Sequence, residues 1–106
     1  MAIRIDTLTE QESIVVTTRG SVYEVTILRG DRGEVLVRGG RQFPEFRHAW
    51  FLGSIADDGL FGPRTIGVGL RMKFVCGDVF VLTSPVRSFS RRSASTAPVQ
   101  CSSAAR

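Results

Sequence analysis

The only histidine of the chain, His48, stands shortly before Ser54 and the Asp57-Asp58 pair. A neutral imidazole is available as a general base at pH 7, and it would need an orienting carboxylate and a nucleophile to act. The stretch HAWFLGSIADD contains no GxSxG elbow or similar motif to fix that geometry. His48 therefore reads as a surface or strand-end residue, no catalytic residue is assigned, and the chain is expected not to be an enzyme. Asp57-Asp58-Gly59 offers paired carboxylates to a divalent ion, but regularly spaced oxygen ligands are missing and a polar turn is preferred. Cys76 and Cys101 show no CxxC spacing, and one histidine cannot complete a tetrahedral set, so both cysteines are expected as free thiols. Neither a metal nor a cofactor is expected.

Binding chemistry is better represented. In GRQFPEFRHAWFLG, residues 40–53, Phe43, Phe46, Trp50 and Phe51 are interleaved with Arg41, Arg47 and His48. Aromatics beside arginines serve single-stranded nucleic acids through stacking and phosphate attraction, and they serve protein interfaces as anchoring residues. The bland alternative is that Trp50 or Phe51, whichever points inward, fills a core while Phe43 and Phe46 cover a barrel end. Phe43, Phe46, Arg47 and Trp50 are the candidate partner-binding residues.

Strands must position them. Period-two alternation dominates the chain, most clearly in RTIGVGLRMKFV (64–75), where Ile66, Val68, Leu70, Met72 and Phe74 share one face. SVYEVTILR, EVLVR and DVFVLTS repeat the pattern with β-branched residues. RGDRG and Cys76-Gly77-Asp78 read as hairpin turns, Arg19-Gly20 as a turn between IVVTT and SVYEV, and Gly39-Gly40 as the end of the EVLVR strand. RQFPEFR reads as a loop before a strand HAWFLGS, and ADDGLFGP as a longer loop. Gly67-Val68-Gly69 lacks the third glycine and the helix of a phosphate loop, so it reads as mid-strand glycines allowing curvature. Pro85 predicts an edge position or a bulge in the last strand. The expectation is an all-β chain: a small antiparallel barrel or roll of six to seven strands.

At 106 residues the chain suits one domain. We place that domain at 1–89 and a disordered Arg/Ser/Ala-rich tail at 90–106, because the tail lacks an apolar pattern able to offset its ordering entropy. The net charge of +4 is carried by the end of the chain: Arg87, Arg91, Arg92 and Arg106 meet no acid there, while residues 1–86 balance to zero. Arg87, Arg91 and Arg92 are thus expected to form a weak electrostatic arm. The basic pI does not by itself mark the body as a nucleic-acid binder. No long apolar run and no secretory leader pattern is read, so a cytoplasmic protein is expected.

TTRGSVYEV (17–25) and VLTSPVRSF (81–89) resemble small uncharacterised β-proteins of bacteria and their phages, which open on TxxSxYxV and close on a TSPV strand. The resemblance implies a compact β-fold over about residues 14–89 and a strand bend at Ser84-Pro85, and it brings no activity. The RGDRG hairpin and the serine-rich end depart from that pattern. The resulting expectation is a module binding protein, or a second copy of itself through an edge strand. A small barrel binding nucleic acid through residues 41–51 and the tail is the alternative.

Overall fold

In a computed structural model the described residues, 1–92, form an all-β fold. Nine strands follow in order: β1 Ala2–Arg4, β2 Ser13–Thr18, β3 Val22–Arg29, β4 Glu34–Gly39, β5 Phe43–Ile55, β6 Phe61–Pro63, β7 Thr65–Gly67, β8 Arg71–Cys76 and β9 Val79–Arg92. The main sheet runs β4-β3-β2-β9-β8-β5-β6, and β4 also pairs with β5. That extra pairing joins the run to itself, so six antiparallel strands form a ring with β6 appended along the end of β5. The short β1–β7 pair stands apart from the ring.

Alternation explains the interior. Ile14 and Val16 of β2, Tyr23, Val25 and Ile27 of β3, Val35 and Val37 of β4, Phe51 of β5, and Met72 and Phe74 of β8 all point inward. Phe74 is the centre of an aromatic cluster, with ring centroids 5.7 Å from Phe43 and 5.3 Å from Phe51. Ile5 and Ile66 belong to the same core and come from the segments outside the ring. The Ile5 N–H donates to the Arg64 carbonyl at 2.8 Å. Gly30 permits this packing, because a Cβ there would strike the Ile5 carbonyl oxygen.

The hairpin turns at 30–33 and 77–78 form as the sequence indicates. Pro85 coincides with a register shift: Arg71 faces Pro85 while Lys73 faces Leu82. It is not on an edge strand, however. The first half of β9 pairs with β8 and the second half with β2, so β9 lies within the ring. Four further readings are corrected. ADDGLFGP is not all loop, because its last residues Phe61–Pro63 form β6 against Gly53 to Ile55 of β5. RQFPEFR is no loop; Phe43 to Arg47 begin the 13-residue β5, where Pro44, Glu45 and Phe46 lie in a bulge opposite Arg38. The stretch 64–75 is two strands, because Gly69 takes φ +87° in a turn closed by Leu70 N–H donating to the Gly67 carbonyl. Val68 in that turn is 45% exposed rather than inward. Lastly, residues 90–92 are strand, and the expected disorder further along falls on 93–106, outside the described residues.

Residues 90–92 pair with Ser13, Ile14 and Val15 of β2, and an ion pair accompanies that pairing. Arg91 Nε–H donates to Glu12 Oε2 at 2.8 Å, while the Thr9 N–H and hydroxyl donate to Oε1 at 2.8 and 2.9 Å. Arg91 is therefore committed to an internal ion pair rather than to a tail arm. The Arg91 hydrogen bond, followed by the Thr9 N–H, draws the Glu12 carboxyl down from 4.5 to about 2 against the opposing effect of its burial. A depressed folded-state value adds stability above pH 4.5, and that stability drains away as pH falls towards about 2. Urea denaturation at stepped pH should show this loss in the natural chain, and Glu12→Gln should flatten the profile over that window.

Candidate functional site

β5 divides the four candidate residues between opposite surroundings. Its inward positions include Phe43, Ala49 and Phe51, all essentially buried. Phe43 is 1% exposed and leaves the candidate surface, because it packs edge-on against Phe74 and lines the interior. Trp50 points outward at 37% exposure and Phe51 inward at 0%, which decides between those two neighbours. Phe46, 40% exposed, lies under the Arg38 guanidinium, whose central carbon is 4.4 Å from the ring centroid. Arg47 is exposed at the rim.

The outer face around Trp50 is larger than the sequence suggested. Pairing places Glu34, Trp50, Val75 and Phe80 side by side across β4, β5, β8 and β9. The next positions bring Gly53, Lys73 and Leu82 together. Phe80 is 65% exposed, Leu82 51% and Phe61 48%. Phe61 reaches this face from β6 by lying over Gly53, which holds φ +149° and whose added Cβ would come 2.8 Å from Phe61 Cζ. Lys73 Nζ sits 4.9 Å from the Phe80 ring centroid. Phe80 and Leu82 are the functional candidates that sequence reading missed. The signal was present in VFVLTS, where large apolar side chains alternate with Val81 and Thr83, but both sets are compatible with a core.

Charge is unevenly distributed over the neutral body. β8 and β9 carry Arg71, Lys73, Arg87, Arg91 and Arg92 and no acid. Among the described residues Arg71, Lys73, Arg87 and Arg92 form no ion pair.

The possible catalytic residues are not brought together. His48 Nε2–H donates to Glu34 Oε2 at 2.7 Å, and its ring packs edge-on against Trp50 at 5.3 Å. Ser54 is fully buried, and Asp58 instead accepts the Leu60 N–H in a turn. Cys76 is a free thiol, 3.5 Å from the His48 carbonyl oxygen to which it donates. Among the described residues no three His, Cys, Asp or Glu side chains converge on a metal position. An open groove of about 490 Å³ is lined by Asp6, Glu10, Arg29 and Asp31 with Leu8, Thr9 and Gly30. Its carboxylates Asp6 and Asp31 are already engaged by Arg4 and Arg29.

The two environments on β5 predict different responses to truncation. Phe43→Ala should cost about 3–5 kcal/mol, as for other buried aromatics. Phe46→Ala should stay within about 0.5 kcal/mol, as for exposed positions, apart from the cation–π contact. Urea denaturation of the two variants measures the contrast. Set beside known proteins, the chain matches no family model, no curated protein and no solved structure.

Proposed function

We propose that the domain is a non-enzymatic binding module that docks protein on the outer face of β5, β6, β8 and β9. One observation carries the reading: Trp50, Phe61, Phe80 and Leu82 are exposed together on adjoining strands. Contiguous exposed apolar surface marks an interaction site in small monomeric domains, and aromatic anchors dominate the energy of such interfaces. A second copy of the chain is one partner this reading admits, since small domains gain buried area by assembling. The likeness of TTRGSVYEV and VLTSPVRSF to small bacterial and phage β-proteins is part of the proposal, as is a cytoplasmic setting that keeps Cys76 a thiol. No described helix is long and apolar enough to cross a membrane.

A nucleic-acid reading is favoured by one specific feature, the acid-free β8–β9 pair beside exposed aromatics. Two considerations place it second. Leu82, 51% exposed, offers no stacking plane, and Arg38 and Arg91 are already bound to Glu24 and Glu12.

Site-specific photocrosslinking separates the readings. A benzophenone side chain at position 80 should give protein adducts of defined mass in cells, and one at the exposed Val22 of β3 should not. Nucleic-acid adducts at position 80, or identical products from both positions, would overturn the proposal. A matching salt series on oligothymidine should use a chain ending at Arg92 rather than Phe89, since the shorter one loses Arg91. Steep salt dependence retained by that chain would also contradict protein docking.

A further inference from the structure

The ring is not closed evenly. From Trp50 onward β5 lies between β8 on one side and β4 or β6 on the other. Before Trp50 it has β4 alone, because the β8–β9 hairpin turns at Gly77-Asp78. The last link across is Cys76 Sγ–H donating to the His48 carbonyl oxygen. Pro44 to His48 are accordingly exposed at every position, without the alternation seen elsewhere. Between this half-strand and the hairpin lies a cavity of about 150 Å³, lined by Gln42, Phe43, Arg47, Cys76, Val79 and Val81.

The chemistry of the lining is asymmetric. Phe43 and Val81 are buried at 1% and 6% exposure and form an apolar floor, and Val79 extends it to the mouth. The Cys76 thiol is already occupied by its carbonyl acceptor. Arg47 is the sole charged residue of the lining and forms no ion pair among the described residues. The acids nearest in sequence, Glu45 and Asp78, do not line the cavity. A guanidinium with free donors is a ready partner for a carboxylate, which it binds through paired charge-assisted hydrogen bonds. A space of about 150 Å³ is large enough for a benzene-sized group, which the Phe43, Val79 and Val81 side would contact while Arg47, Gln42 and Cys76 make the rest of the lining polar.

We propose that this cavity is a binding site for an apolar monocarboxylate, its benzene-sized or branched aliphatic group against Phe43, Val79 and Val81 and its carboxylate on Arg47. The site is separate from the outer-face docking surface and goes beyond it. The same chemistry is offered by a free small acid and by the C-terminal residue of a peptide.

The test uses the full isotope-labelled chain and follows backbone resonances during titration with phenylacetate and with its neutral counterpart phenylacetamide. Phenylacetate should bind in the millimolar range or better and shift Phe43, Cys76 and Val81. Losing the charged hydrogen bonds should make the amide about ten-fold weaker. Arg47→Gln, an exposed change that leaves the core intact, should abolish the preference for the acid. Arg47→Lys should retain part of it, and Arg41→Gln should leave it unchanged. Equal binding of acid and amide, a preference surviving in Arg47→Gln, or no shift from either compound would overturn the site. A peptide ending in free-acid phenylalanine provides the second arm: tighter binding than phenylacetate assigns the site to chain ends, and weaker binding assigns it to small acids.

Discussion

Closure of the sheet through β5 is the constraint on which the rest of the molecule depends. This strand of 13 residues pairs with β4 over its first part and with β8 and β6 over its last. Without the β4–β5 pairing the sheet would present long open edges at both ends, a liability in any small β-protein. The Phe51 N–H donating to the Gly33 carbonyl at 2.7 Å extends that junction past the paired residues. Behind it, Phe51, Phe74 and Phe43 pack together inside the ring. A strand that must serve two neighbours at different heights cannot be covered along its whole length. The uncovered half gives the rim cavity, and the covered half aims Trp50 outward.

Function and stability are thereby separated along one strand, by alternation from His48 to Phe51 and by the uncovered rim before it. Phe43 and Phe51 belong to the core; Phe46, His48 and Trp50 face solvent. The outer face also shows why net charge was a poor guide. The body is neutral in sum, but most of its acids lie off β8 and β9: Asp6, Glu10 and Asp31 around the open groove, Asp57 and Asp58 in the turn after β5, and Glu34 on β4 beside Trp50. Opposite charges that cancel in the sum remain apart in space, so β8 and β9 keep a basic character.

The strands, the hairpins at 30–33 and 77–78, and the irregularity at Pro85 were legible because alternation and turn residues act locally. What escaped depended on distant partners. RQFPEFR looked like a loop because a bulged strand at a rim has no buried face to impose a pattern. Residues 64–75 looked continuous because the turn at Gly67–Leu70 keeps Ile66 and Met72 in the same phase, both fully buried. The exposed positions of Phe80 and Leu82 could not be assigned, since apolar residues occupy both faces of that strand and the ring alone decides which turns inward. The commitment of Arg91 to Glu12 rests on a contact across 79 residues. No composition count could reveal it.

β5 is half scaffold and half open surface, and amide hydrogen exchange resolved by residue tests that division directly. The N–H groups of Glu45 and Phe46, in the bulge beyond the hairpin, should exchange orders of magnitude faster than those of Phe51 and Ser54. Uniform slow exchange from Phe43 to Ile55 would mean that the strand is covered on both sides throughout, and would contradict both the rim cavity and the division of labour along β5.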